Sequence, residues 1–203
     1  MSLKNCLALL FVLAFLSFLV QSDFGNVNVK SHTLYSSNNQ YVVYDLYKPS
    51  SASKENKAPF IVVVPGFQRS KEALSNIAIE LSRRGNVVAL IDPYAQGMSS
   101  SSLSRRAATT EGYGMFALID TVSKGNLYDF VDTDKMASTG HSMGGNAAIR
   151  GANYFGREAI RENKKSKLHS VYVSGYVLTL TEKVLEDVRS VSYTHLTLPT
   201  ISR

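Results

Sequence analysis

The chain predicts an α/β fold: a mainly parallel sheet with helices on both faces, entered through an N-terminal antiparallel hairpin. Three observations carry this. Short, continuously apolar runs rich in β-branched residues, Pro59–Pro65 and Asn86–Ile91, suit strands buried on both sides. Segments of helical periodicity separate these runs, and strands alternating with helices imply crossover connections between parallel neighbours. Before the first run, two alternating segments flank Ser37-Asn38-Asn39, whose turn chemistry joins them as a hairpin.

The elements follow in order. Val27–Tyr35 and Gln40–Tyr47 are the hairpin strands, and 50–57 is a polar linker. After Pro59–Pro65, the residues Leu74, Ile77, Ala78 and Leu81 recur at helical spacing, with Ser70 as the expected N-cap and Gly85 as the stop. Asn86–Ile91 is the next strand. Met115–Phe130 carries helical material broken near Gly125. Lys135–Thr139 is a strand, Gly144–Phe155 a helix and Leu168–Val173 another strand. Val184, Leu185 and Val188 share one face of a final helical segment ending at Ser190.

The two ends read differently from the middle. Lys4 precedes an apolar run from Cys6 to Val20, and Val20-Gln21-Ser22 offers the small residues of a peptidase site. Residues 1–22 are therefore a signal peptide or a signal anchor, and the domain is expected to be extracytoplasmic, secreted or membrane-anchored. Membrane contact follows only if the segment is retained. Residues 191–200 resemble the translation of a transposon-type sequencing adapter. The native domain is thus expected over 23–190, incomplete at its C-terminus with the last strands missing, and 191–203 is expected to be a non-native tail.

Composition excludes several function classes. Cys6 is the only cysteine and lies in the leader, so disulfides and thiolate metal sites are not expected in the domain. The formal charge is +6, of which Lys4 and Arg203 at the two ends account for two, leaving a mild +4. The basic cluster Arg157, Arg161, Lys164, Lys165 and Lys167 is interleaved with Glu158 and Glu162 and reads as a solvated helix end. No broad basic face with aromatic platforms is present, so a nucleic-acid partner is not expected.

Chemistry concentrates in Gly140-His141-Ser142-Met143-Gly144-Gly145, between a strand and a helix. A serine there is held at positive φ in a tight turn, and Gly140 and Gly144 remove Cβ atoms that would clash. The following helix points its positive end at Ser142, favouring negative charge there. Ser142 is the candidate nucleophile. The oxyanion would be held by two backbone amides, of Met143 and of Phe67 in the turn Pro65-Gly66-Phe67-Gln68. Losing one such donor costs about 2.7–4 kcal/mol of transition-state stabilisation.

These motifs, with Val-Val-Val-Pro-Gly-Phe and Ile91-Asp92-Pro-Tyr-Ala-Gln-Gly97-Met-Ser99, resemble the α/β-hydrolase superfamily. The likeness is greatest to its dienelactone-hydrolase and cutinase-like lipase branch. The resemblance implies an ester-cleaving serine hydrolase acting through an acyl-enzyme on a small-molecule ester or acyl substrate, with no metal or organic cofactor. Peptide or amide hydrolysis of the prolyl-oligopeptidase-like type, and a non-catalytic binding module, stay open as alternatives. The superfamily order is Ser, acid, His. Asp92 reads as structural, Asp187 sits in a helical pattern, and His32, His141, His169 and His195 are each poorly placed. The catalytic acid and histidine are therefore expected beyond Ser190.

Overall fold

The computed structural model describes residues 2–36, 39–104 and 107–175. The expected helix ending at Ser190, the tail over 191–203, Asp187 and His195 lie outside these. Within them run α1 (Leu3–Gln21), β1 (Val27–Tyr35), β2 (Tyr41–Pro49), β3 (Ala58–Val64), α2 (Ser75–Arg83) and β4 (Val87–Ile91). Then come α3 (Ala107–Thr110), α4 (Met115–Ser123), β5 (Val131–His141), α5 (Met143–Glu162) and β6 (Ser170–Ser174). The six strands form one sheet in the order β1-β2-β4-β3-β5-β6. β4, β3, β5 and β6 pair in parallel; β1 and β2 form the antiparallel hairpin, and β2 also joins β4 antiparallel.

The apolar runs are strands because their alternate residues enter two different cores. Val62, Val64, Val87, Ala89 and Ile91 pack on one face with Met115, Leu118, Ile119, Ala148 and Phe155 from α4 and α5. Val63, Val88 and Leu90 pack on the other with Ala78 of α2, Val27 and Tyr47. Each fully buried Val or Leu contributes roughly 1.5–3 kcal/mol. Both faces being covered explains why no polar alternation marks β3 and β4 in the sequence.

Four expectations need correction. The helix after β3 begins at Ser75, because Lys71–Leu74 form a 3-10 turn first; Ser70 precedes that turn and its hydroxyl bonds Glu72 rather than capping a backbone amide. Helical structure in the β4–β5 connection ends at Ser123, and the chain from Gly125 to Phe130 is not helical. β5 is longer than Lys135–Thr139, with its pairing to β3 interrupted: Pro59 faces Asp132 but Phe60 faces Met136. Finally, α5 runs on to Glu162, ending at Asn163 in the left-handed conformation.

Inside the larger core, Tyr44 and Tyr128 share a hydrogen bond between hydroxyls 2.6 Å apart, and His32 stacks on Tyr44 at 5.5 Å between centroids. Burial above all, then the Tyr44 hydroxyl, pushes the Tyr128 phenol well above its usual range. Tyr128→Phe strands the buried Tyr44 hydroxyl and is expected to destabilise by about 1–3 kcal/mol. The double change with Tyr44→Phe should cost less than the two single effects summed. Thermal melts of the four proteins check this, and strict additivity would disprove the pairing.

Candidate active site

β5 ends at His141 and α5 starts at Met143, leaving Ser142 as the junction residue with φ 54° and ψ −113°. A non-glycine residue held there costs about 1–3 kcal/mol and persists only where its surroundings enforce it. The enforcement is backbone packing. A Cβ on Gly144 would stand 1.9 Å from the Val64 carbonyl oxygen, and one on Gly140 would stand 2.3 Å from the Gly144 carbonyl carbon. The end of β3, the end of β5 and the start of α5 therefore touch through bare backbone. The Ser142 amide donates to the Ser174 carbonyl at 3.2 Å, and the Asn146 amide donates to the Ser142 carbonyl at 3.0 Å. The Ser142 hydroxyl makes no capping bond to α5, so it is not consumed in holding the turn. The helix of 20 residues presents its positive end to it.

Beside the elbow opens a cleft of about 590 Å³, with Phe67, Gln68, Tyr94, Gln96, Tyr113 and Met143 among its walls. Met143, the residue after Ser142, is one of these walls. Among the described residues, neither the Phe67 amide nor the Met143 amide has a hydrogen-bond acceptor. The Phe67 ring is 68% exposed, so it is a wall of the cleft and not a core aromatic. Gln68, Ala95 and Tyr113 all adopt positive φ here, which concentrates backbone strain around the opening.

Two loops wall the cleft, and side chains bind them together. Asp92 is buried; its Oδ1 accepts from the Lys71 amide at 2.7 Å and its Oδ2 from the Met98 amide at 2.9 Å. Gln96 Oε1 accepts from the Gln68 amide at 2.5 Å, while its Nε2 donates to the carbonyls of Gly66 at 3.2 Å and Arg69 at 3.1 Å. Asp92 thus has a structural task, as its sequence position suggests. The role of Gln96 carries no sequence signal, since an isolated loop glutamine looks like any solvated one. Asp92→Asn turns an NH2 group toward one of two amide donors. It is expected to cost about 1.5–3 kcal/mol, read as a shift of the urea midpoint. An unchanged midpoint would sink this assignment.

The nearby charges are ordinary by comparison. Glu72, two residues past the cleft-lining Ser70, has its carboxyl held down to about 2, by the Lys71 ammonium first and the Ser70 hydroxyl next. Its side chain is 67% exposed, so this ion pair adds little stability. Lys167 joins Asp120 at 2.6 Å and Glu158 at 3.0 Å, tying α5 to α4. Arg161 and Lys164 pair on the surface with Glu162, as a solvated helix end does.

The described histidines stand elsewhere. His32 lies on the hairpin against Tyr44. His169 precedes β6, where its Nδ1 accepts a long bond from the Met136 amide at 3.5 Å and burial lowers its imidazole pKa. His141 adjoins Ser142 in sequence, but its ring lies against Gly175 and lines a separate groove with Ser138, Leu81 and Tyr172. None of the three lines the cleft.

A strand order with an antiparallel pair leading into four parallel strands, and a serine elbow after the fifth strand, define an α/β-hydrolase fold. The chain belongs to the PET hydrolase-like family, whose sequence pattern matches residues 17–179. Solved structures agree on the fold. The chain is similar to GrgF, an α/β hydrolase from Penicillium sp. sh18, with 17% identity and a TM-score of 0.58, covering 72% of this chain and 45% of that one. It is similar to the hypothetical protein PA2218 from Pseudomonas aeruginosa at 21% identity and TM-score 0.59, over 81% and 50% of the two chains. A structure from work on two fungal esterases of Rhizomucor miehei matches at 19% identity and TM-score 0.57, over 76% and 46%. The chain thus spans about half the length of these structures. No curated protein sequence matches it.

Proposed function

We propose that this chain is the nucleophile-bearing part of an exported serine esterase. The observation that carries the reading is Ser142 itself, at φ 54° between β5 and α5, its hydroxyl making no capping bond to α5 and the next residue, Met143, lining the cleft. Ser142 Oγ attacks the carbonyl carbon of a carboxylic ester, and the amides of Phe67 and Met143 hold the resulting oxyanion. The alkoxide leaves with the proton that the serine gave up, and water then cleaves the acyl-enzyme. A hydroxyl needs a base for this, and no described histidine lines the cleft. The base and its acid partner therefore come from outside the described residues. The family's hydrolase description and an esterase among the structural neighbours support esters as the bond class. The N-terminal apolar segment delivers the domain to the membrane or beyond it.

The test is covalent labelling of the full-length protein with a fluorophosphonate probe, followed by peptide mass mapping. Modification at Ser142, with turnover of a nitrophenyl ester, supports the reading. Absence of Ser142 labelling would favour a hydrolase fold kept as a binding module.

A further inference from the structure

We propose that α1 is a retained membrane anchor that fixes the domain on the bilayer with its cleft facing away, so that substrates arrive from the aqueous side. The helix spans 19 residues, about 28 Å at 1.5 Å per residue. Its apolar run from Cys6 to Val20 supplies about 22 Å of this toward a hydrocarbon thickness of about 30 Å, and the polar ends Lys4, Asn5 and Gln21 fall at the headgroups. Nothing of Leu3–Val20 is buried by the domain, and from Cys6 to Val20 the segment is apolar on every side, interrupted by Ser17 alone. A helix seeking a protein groove would show one apolar stripe; this one suits lipid all round.

Length and composition describe a cleavable leader equally well, and the junction separates the two. A leader that is discarded need not be built into the domain, whereas here α1 runs to Gln21 and Ser22 caps it, its hydroxyl donating to the Phe18 carbonyl at 2.8 Å. The chain then turns through three successive positive-φ residues, Asp23, Phe24 and Gly25. The Phe24 amide donates to the Leu19 carbonyl at 2.7 Å and the Val27 amide to the Ser22 carbonyl at 2.9 Å. From α2, Arg83 Nη2 donates to the Val20 carbonyl at 2.9 Å while its Nε meets Asp23 Oδ1 at 3.1 Å. The helix is therefore joined to the sheet through a built turn and a side-chain brace, with no spacer between them.

The level of that turn has interfacial chemistry. The Phe24 ring is 71% exposed just past the helix end, and Arg83 and Arg84 close α2 beside it. Aromatic and basic side chains at this depth suit the headgroup region. Lys4 at the other end places the amino terminus on the cytoplasmic side by the same rule.

Topology then sets which way the cleft looks. Val27 opens β1 opposite Pro49, and Tyr47 pairs with Val88, so α1 joins the sheet at the end where β4 begins. The elbow follows the opposite ends of β3 and β5. The seven residues of β3 at about 3.3 Å each separate the two ends by roughly 23 Å. The anchoring itself stands on geometry alone; the substrate side rests on the esterase reading of Ser142.

Cys6 is the only cysteine of these 203 residues, so once any cysteine of the remaining chain is replaced by serine, single-cysteine probes report position directly. In full-length protein carrying Cys6→Ser, Phe24→Cys, Arg84→Cys and Met98→Cys would each be labelled with a fluorophore. Each is then reconstituted in phosphatidylcholine–phosphatidylglycerol vesicles containing brominated lipid. Quenching several-fold stronger at positions 24 and 84 than at 98 is expected. So are retention after alkaline carbonate extraction and an intact amino terminus by mass. Release by carbonate, or a new terminus near Asp23, overturns the anchor; equal quenching, or more at 98, overturns the orientation. Fluorophosphonate labelling of the same vesicles keeps the two readings apart. If labelling fails while the quenching order holds, the esterase reading falls and the orientation stands.

Discussion

Ser142→Ala is expected to abolish fluorophosphonate labelling and lower ester turnover by on the order of 10^4 to 10^6-fold in the full-length protein. The fold should not notice. The hydroxyl makes no capping bond to α5, and serine and alanine carry the same Cβ into the strained turn, so stability is expected to move by no more than about 0.5 kcal/mol. That pairing of a large kinetic loss with an unchanged melt distinguishes a nucleophile from a turn residue. Labelling that survives the substitution, or a melt that collapses with it, would refute the assignment.

Gly144→Ala is expected to do the reverse and abolish the folded state. Its new Cβ would lie 1.9 Å from the Val64 carbonyl oxygen and 2.6 Å from the Val64 carbonyl carbon. Neither atom can retreat, because Val64 is the last residue of β3 and pairs with Gly140 of β5. Relieving the clash means parting those strands, with a penalty beyond about 4–5 kcal/mol in a domain whose total stability is about 5–15 kcal/mol. Gly151→Ala on the same helix is the control. There the Cβ meets the flexible end of Met115 at 2.6 Å, and alanine improves helix propensity by about 1 kcal/mol. Soluble expression and urea unfolding of both variants decide the matter. A Gly144→Ala protein as stable as the parent would mean the three chain passes do not cross as described.

These two residues were also the most legible in the sequence. Gly140, Ser142 and Gly144 announce their geometry because backbone contact permits no substitute, and β3 and β4 announce theirs because both faces are buried. Legibility fails where a contact joins distant segments. Nothing around Asp132, Thr133 and Asp134 marks a strand, since the charged stretch straddles the interruption in pairing with β3. The 3-10 turn over Lys71–Leu74 has helical spacing and hides the later start of α2. Within the site, Phe67 and Met143 follow from the motifs, whereas Gln96, Tyr94 and Tyr113 reach the cleft only through the fold. The hydrogen bonds of Gln96 span some 30 positions of chain, and no local pattern encodes them.

The bracing of the cleft by Asp92 and Gln96 bears on how this scaffold can diversify. Gly66–Lys71 and Asp92–Met98 are pinned to each other at Gly66, Gln68, Arg69 and Lys71. An inserted or deleted residue in either loop would throw several amides out of register at once. The described part of the third wall, 102–104 and 107–113, meets those loops through a backbone bond, the Tyr94 amide donating to the Tyr113 carbonyl at 2.9 Å, and Ser102 bonds within its own segment to Glu111. Insertions and deletions that retune the cleft for a new acyl group are thus expected to accumulate there, while the two braced loops keep their length.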